Sequence, residues 1–380
     1  MNMLSFPPPP AGMAMPELRT EVRDFLREQL GDDYGPEQRA QSWMGFDAEF
    51  SYQLGKKGWL GMTLPKEYGG HSRSALERYV VMEELLAAGA PVAAHWIADR
   101  QSAPLLLHYG SEEQRQTILP RIAAGKCFFC IGMSEPDSGS DLASIRTRAL
   151  RVDGGFRVNG TKLWTTYAHH AHYMILFCRT DNSDDHHGGT SQLLVDLTTP
   201  GISINPIGDI AGEHHFNEVV LEDVFLPESA LVGELGQGWK QVTGELAFER
   251  SGPDRFLSSF TLLTQLVGIL SQAPSREAKR AVGRLVGHVM VLRHMSQSVA
   301  GMLDRSENPM LQATIVKDLG ALVEQEIPDI ARTLVVDTGS PNSTFAAVLA
   351  RTLLAAPSFS LRGGTREILR SIIARGLGLR

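Results

Sequence analysis

The sequence predicts an α+β protein in three parts, helical, then β, then helical again, and three observations carry that expectation. Apolar residues recur at helical spacing through the first third, alternate with a period of two from about Phe128, and return to helical spacing from Gly238 to the end. These switches place a proline-rich tail over 1–15, an N-terminal helical domain over 16–126, a middle antiparallel β domain over 127–235 and a C-terminal helical bundle over 236–380.

Each element has its own reason. Pro16 opens a segment that sets Leu18, Val22, Phe25, Leu26 and Leu30 on one stripe, as an amphipathic helix with proline in its first turn would. Ala75 to Ala88 repeats the pattern with Leu76, Tyr79, Val80 and Leu86. Ser111 to Ala124 adds a capping serine and two acids, Glu112 and Glu113, where a helix start favours negative charge. Gly58 to Gly70 reads as a structural loop. In the middle third, turns are expected at Asp153-Gly154-Gly155 and Asn159-Gly160, and strands near Tyr173–Cys178, Ser191–Asp196, Ile202–Ile207 and Phe216–Phe225. The polar, His- and Gly-rich stretch from Asp181 to Thr190 reads as a solvated hairpin loop.

Composition narrows the function classes. With 380 residues, 21% charged and a net charge of −7, the chain has no basic footprint for nucleic acid and no pull toward anionic lipid. No apolar run reaches bilayer length and the N-terminus lacks a basic region ahead of an apolar one, so a cytoplasmic enzyme without a membrane partner is expected. Three cysteines, Cys127, Cys130 and Cys178, are too few and too odd in number for a disulfide framework. Cys127 and Cys130 have C-x-x-C spacing, but two phenylalanines fill the gap and no second pair completes a zinc site, so they read as structural. His169, His170 and His172, with the pairs His186-His187 and His214-His215, lack acidic or thiol ligands at matched spacing. On a strand the first two would face opposite ways, so surface or edge histidines and no metal are expected.

Two segments carry the chemistry. Met133-Ser134-Glu135-Pro136-Asp137-Ser138-Gly139-Ser140-Asp141 ends an apolar run in a loop of small residues, where backbone N–H groups can approach an anionic ligand. Asn159-Gly160-Thr161-Lys162-Leu163-Trp164-Thr165-Thr166 follows, closing on an indole and two hydroxyls. Alone, Trp164 would more often be core and Gly139-Ser140 a turn. Together the two segments resemble the acyl-CoA dehydrogenase family, and the resemblance runs along most of the chain.

That resemblance implies an acyl-CoA dehydrogenase-like fold, FAD as cofactor between the β domain and the C-terminal helices, and an acyl-CoA thioester as substrate. Met133, Ser134 and Trp164 would lie against the flavin ring, Thr166 near its N5, and Gly139 and Ser140 where cofactor and thioester approach the loop. Thr365 and Glu367 would meet the cofactor from the C-terminal segment, while Arg362 and Arg366 would be solvated or phosphate-facing. Many family members carry the catalytic base in a Tyr-Glu-Gly-Thr segment; here Arg362-Gly363-Gly364-Thr365 stands there and Gly363 replaces the carboxylate. The second family location precedes an arginine on the first long C-terminal helix, where this chain has Glu249-Arg250. A surface ion pair is the plain alternative for such a dipeptide. The empty C-terminal position and the apolar Leu246, Ala247 and Phe248 favour Glu249 as the base, with Arg250 toward the substrate and the Gly363 N–H on the thioester oxygen. If the helix continues through Pro253, it should kink there.

The resemblance also implies electron-transferring flavoprotein as acceptor and a homodimer or tetramer, with a paralogous subunit as a variant. The family's Arg-x-x-Phe-Gly and Gln-x-x-Gly-Gly segments for the adenylate half of FAD are missing; Arg276–Gly283 and Leu334–Ser340 stand there instead. Two alternatives therefore stay open: a subunit of a heteromeric dehydrogenase that needs a partner chain for FAD, and a flavin monooxygenase or oxidase on the same fold. His95–Arg100 falls near the family's acyl pocket, where Trp96 could shape it and Arg100 could meet a dicarboxylic acyl group or form an ordinary ion pair.

Overall fold

A computed structural model describes residues 4–181, 187–250, 252–272, 275–335 and 343–379. The chain divides into two compact units, one of Asp47–Ser72 with Ala93–Leu246 and the other of the segments ending at Phe46, Arg73–Val92 and the stretch from Ala247 onward.

The first unit is built on a sheet of eight strands: β1 (Phe129–Gly132), β2 (Arg148–Val152), β3 (Gly155–Thr166), β4 (Tyr173–Arg179), β5 (Thr190–Asp196), β6 (Ile202–Ile207), β7 (Phe216–Pro227) and β8 (Leu231–Val232). Their order is β6-β7-β3-β2-β4-β5-β8, with β1 also beside β4. Most neighbours are antiparallel; β1 runs parallel to β4. The period-two pattern holds because alternate residues, among them Val158, Met174, Leu176, Leu193, Val195 and Val219, fill one buried core. A second core joins the sheet to the helices Ala103–Tyr109 and Glu112–Ala123 through Ile118, Leu119, Ile122, Phe129 and Ile175. The expected turn at Asp153-Gly154 joins β2 to β3, with Val152 paired to Gly155. Asn159-Gly160 is not a turn: it lies inside β3, where the register against β7 slips between Val158 and Gly160. A Cβ at Gly160 would fall 2.3 Å from the Thr147 hydroxyl, so glycine serves close approach here rather than chain reversal. The middle of the expected loop at Asp181–Thr190 lies outside the described residues.

The second unit is helical, with helices at Pro16–Leu30, Ala75–Ala87, Phe260–Gln272, Arg276–Asp304, Met310–Leu334, Thr344–Phe359 and Arg366–Gly376. Ser74 and Glu77 form a capping box, satisfying helix-end donors that would otherwise lack partners. Glu83 and Glu84 are buried and ion-paired: Arg19 reaches both, Arg23 takes Glu84 and Arg293 takes Glu83, which ties three helices together. The expected kink at Pro253 does not form. The Gly238–Glu249 helix stops at Glu249, and Pro253 opens a separate short turn over Pro253–Arg255, where a residue without an N–H costs nothing.

Candidate active site

The loop after β1 is fastened to β3 by one buried ion pair. Lys162 is fully buried, and its Nζ donates to Glu135 Oε1 at 2.8 Å and to the Met133 carbonyl at 2.9 Å. Glu135 also accepts from the backbone N–H of Arg146 at 2.6 Å and of Thr147 at 2.9 Å, and Leu163 N–H reaches the Ser134 carbonyl at 2.8 Å. Burial works to raise the Glu135 pKa, but the Lys162 charge and these donors bring it below the usual carboxylate range. Glu135 and Ser138 exchange both backbone hydrogen bonds, closing a tight turn that leaves Gly139 and Ser140 exposed at its far end. Both Glu135 and Lys162 lie within the motif segments, yet neither stood out as a site residue. The signal was there: Lys162 shares the inward register with Val158.

β3 then turns its aromatic residue out. The strand shows a second slip between Lys162 and Thr165, and Trp164 sits in it at φ 59°, a left-handed conformation that bulky residues rarely adopt. The residue is 57% exposed, and its ring meets Phe216 edge-on with centroids 6.0 Å apart. Thr166 is half-buried and paired with Phe216, and Met133 packs with Ile145, Phe177 and Val242. An exposed indole beside a hydroxyl and a backbone-rich loop can hold a planar aromatic heterocycle.

Beyond Thr166 the histidines gather. His169 and His170 occupy a short helical turn over Ala168–His170, not a strand, so they do not face opposite ways: their rings lie 4.1 Å apart. His169 also stacks on His214 at 4.0 Å and 16°, and both bring a ring nitrogen to Asn217 Oδ1, at 3.0 and 2.8 Å. Asn217 in turn donates to the Thr165 carbonyl at 3.0 Å. Burial, then the neighbouring His170 and His214, pulls His169 down to about 4. Among the described residues no cluster suited to a metal ion occurs. The three cysteines are free and buried, and burial pushes the Cys178 thiol up to about 12, as expected of inert structural residues.

The helical unit holds the other expected site residues. Glu249 is the last residue of its helix; its side chain lies outside the described part. Arg250, next along, is buried and donates from Nε to the Gly363 carbonyl at 3.2 Å. Gly363 and Gly364 both adopt positive φ, 67° and 98°, a path that two successive side-chain-bearing residues would resist. Arg362 is neither solvated nor phosphate-facing. Its Nη2 donates to Glu324 Oε2 at 2.7 Å, Ser258 Oγ at 2.6 Å and the Asp254 carbonyl at 3.0 Å, and its guanidinium lies 4.9 Å from the ring centres of both Trp43 and Phe359. Arg366 is likewise paired, with Asp318 at 2.8 Å. Thr365 precedes the last helix, and Glu367, held below the usual carboxylate range by its own backbone N–H and the Thr365 hydroxyl, is exposed in its first turn.

The arrangement of these segments matches known proteins along nearly the whole chain. The description "Acyl-CoA dehydrogenase, N-terminal domain" matches residues 15–126 and "Acyl-CoA dehydrogenase, middle domain" residues 130–224. Acyl-CoA dehydrogenase FadE29 of Mycobacterium tuberculosis (strain ATCC 25618 / H37Rv) is 32% identical over 372 residues, 94% of this chain and 95% of that one. The chain belongs to the acyl-CoA dehydrogenase family. Among solved structures, the Tcur3481-Tcur3483 steroid ACAD shows a TM-score of 0.87 at 29% identity over 98% of both chains. The ChsE4-ChsE5 complex from Mycobacterium tuberculosis shows 0.84 at 30% identity over the full length of both. An acyl-CoA dehydrogenase is an oxidoreductase acting on a CH–CH group, and the family is flavin-dependent. No described helix is long and apolar enough to cross a membrane.

Proposed function

We propose that this chain removes the α-proton and β-hydride of an acyl-CoA thioester to give the 2-enoyl-CoA, with Glu249 as the base. The observation that carries the reading is the Arg250 hydrogen bond to Gly363: the residue beside Glu249 touches the loop from which the family's usual carboxylate is missing. The chain that continues from the end of this helix therefore runs beside the segment that lacks the carboxylate, which supports assigning the base to residue 249. An α-proton is weakly acidic, so its removal needs both a base and a donor for the charge that builds on the thioester oxygen. Glu249 takes the proton and the Gly363 N–H meets the oxygen, with Arg250 orienting the loop and reaching toward substrate. FAD, when bound, supplies the acceptor for the β-hydride.

The residues of the β unit fit that group. The outward-turned Trp164 offers an aromatic face, Thr166 a hydroxyl, Met133 and Ser134 the adjoining wall, and Gly139 and Ser140 an open edge where a side chain at Gly139 would meet nothing within 4 Å. On the strength of the family resemblance we also assign Thr365 and Glu367 to the cofactor, and electron-transferring flavoprotein as the electron acceptor.

The substrate we propose is a bulky, steroid-type acyl-CoA, and the working unit a complex with a paralogous chain. Two observations favour this: the neighbours at TM-scores of 0.87 and 0.84 carry two-component names, one of them a steroid ACAD, and the sequence lacks both adenylate segments. The stretch Arg276–Gly283 is helical, opening the Arg276–Asp304 helix behind its Ser275 cap, and residues 336–340 of the second stretch lie outside the described part. The test is anaerobic titration of the flavin band with straight, branched and steroid side-chain acyl-CoAs, on the protein alone and co-expressed with a paralogous chain. Bleaching by one class is expected, and Glu249→Gln should slow it by about 10²–10⁴-fold at unchanged flavin content. A Glu249→Gln protein that bleaches at the wild-type rate would remove the base assignment.

A further inference from the structure

We infer that Arg362, standing one residue before the vacant carboxylate position, is a positioning residue that aims the Gly363 N–H at the thioester oxygen. The inference rests on the oxyanion role of Gly363 proposed above and adds the residue that makes the role work.

Gly363 and Gly364 have no side chains with which to anchor themselves, and both sit at positive φ, a region glycine enters and leaves freely. Unaided, such a pair would sample many orientations, whereas a charge-stabilising donor must be fixed before the charge appears. The fixing contacts come from either side. Arg250 Nε holds the Gly363 carbonyl at 3.2 Å. On the other side the Gly363 N–H belongs to the peptide that joins it to Arg362, whose side chain is anchored through one guanidinium nitrogen, Nε and Nη1 being buried without hydrogen-bond partners among the described residues.

One nitrogen, Nη2, binds Glu324 Oε2, Ser258 Oγ and the Asp254 carbonyl at 2.6–3.0 Å. Glu324 is fully buried, and its other oxygen accepts from Ser258 N–H at 2.8 Å, so the carboxylate cannot swing away. Trp43 and Phe359 lie near the guanidinium, each ring centre 4.9 Å away, within reach of a cation–π attraction. The Asp254 and Ser258 that Arg362 grips belong to the segment that follows the base helix. The strut therefore ties the oxyanion loop to the segment just after the base helix, and the Met310–Leu334 helix backs it. From that helix Lys317 donates to the Phe359 carbonyl at 2.8 Å and Asp318 pairs with Arg366 at 2.8 Å.

The test compares Arg362→Gln and Arg362→Lys with Glu249→Gln in the flavin-loaded enzyme, together with its partner chain if one is needed for loading. Two readouts are used: the rate of anaerobic flavin reduction per bound flavin, and the pH at which bound acetoacetyl-CoA becomes its enolate, seen as a long-wavelength charge-transfer band with oxidised flavin. The second needs an oxyanion donor but no base of a particular strength. In Arg362→Gln the reduction rate at saturating substrate should fall about tenfold or more with KM little changed, since one misaligned donor costs up to 10²–10³. The enolate band should move up by about one pH unit, the same factor of ten. Arg362→Lys, which keeps the charge opposite Glu324, should recover part of both. If Arg362→Gln lowers only the melting temperature and leaves the rate per flavin and the enolate pH at wild-type values, Arg362 is structural and the inference falls. If Glu249→Gln reduces flavin normally while Arg362→Gln shifts the enolate band, the base assignment falls and Arg362 keeps its role.

Discussion

The two units each hold a glycine-bearing functional loop in place, and they do it differently. In the β unit the Ser134–Asp141 loop is centred on one buried carboxylate, Glu135, whose charge is met by one buried ammonium, Lys162, with the Arg146 and Thr147 N–H groups beside it. In the helical unit the Arg362–Thr365 loop and its flanks are held by a row of contacts along one helix: Glu324 takes Arg362 in the loop, Lys317 and Gln325 hold the Phe359 and Ala356 carbonyls before it and Asp318 holds Arg366 after it, with Arg250 on Gly363 added from elsewhere. A single buried ion pair is all-or-none, because either partner left alone is a charge without water. A distributed row degrades in steps. The loop proposed to face the flavin ring is thus the brittle one, and the loop proposed to face the thioester oxygen the tolerant one.

The largest expected effect breaks that comparison at its brittle end. Lys162→Met leaves Glu135 buried beside an apolar chain and should cost about 3–5 kcal/mol of stability, with loss of flavin. Asp318→Asn, which removes one rung of the row and leaves the others, should cost about 1 kcal/mol. Urea unfolding of both variants measures the ratio. Equal losses would mean that the two loops are held alike.

A smaller effect concerns strain rather than charge. Trp164 occupies a left-handed backbone position at roughly 1–2 kcal/mol above an ordinary one, and its exposed ring recovers little of that by burial. Trp164→Gly should therefore leave the flavin-free protein as stable as before or up to about 1 kcal/mol more stable, while weakening flavin retention. Paired melts with and without added FAD check this. A destabilised flavin-free variant would show that the indole is a packing residue after all.

Much of this was legible in the sequence, and the gaps have physical reasons. Pro16 and Ser111 mark helix starts because first-turn and capping preferences are local chemistry, and β6 and β7 follow their alternation because each favours one face for burial, while β4 reads as an unbroken apolar run because both its faces are buried. Asn159-Gly160 misled because the dipeptide reports a need for glycine without saying whether the need is a turn or a close approach to Thr147. His169 and His170 misled for a similar reason, since opposite faces hold only on a strand. The roles of Arg362 and Arg366 were hidden because their partners, Glu324 and Asp318, are far along the chain. Glu324 did leave a trace: with Ala313, Gly320, Ile327 and Ala331 it falls on the buried stripe of its helix, where a carboxylate demands a cation.

The last and smallest effect tests whether the far end of β3 is held by neutral rings. Asn217 Oδ1 accepts from both His169 and His214, so each ring must carry a proton on the nitrogen facing it, and Asn217 passes the constraint to the Thr165 carbonyl. A second proton on His169 would place a cation in a partly buried site, against the stacked His214 and beside His170; burial first, and these neighbours second, hold its pKa near 4 rather than 6.5. The sign follows from linkage: between about pH 6.5 and 4 the unfolded chain takes up a proton that the folded chain refuses, so stability falls as pH falls, and above 6.5 this histidine contributes no pH dependence. His169→Gln keeps an N–H for Asn217 but cannot titrate. Urea midpoints measured at pH 7.5 and pH 5 should drop further for the wild-type protein than for the variant. Equal drops would mean that His169 protonates as freely in the folded protein as in the unfolded one, and that the β3 end, unlike the loop beside it, tolerates a buried charge.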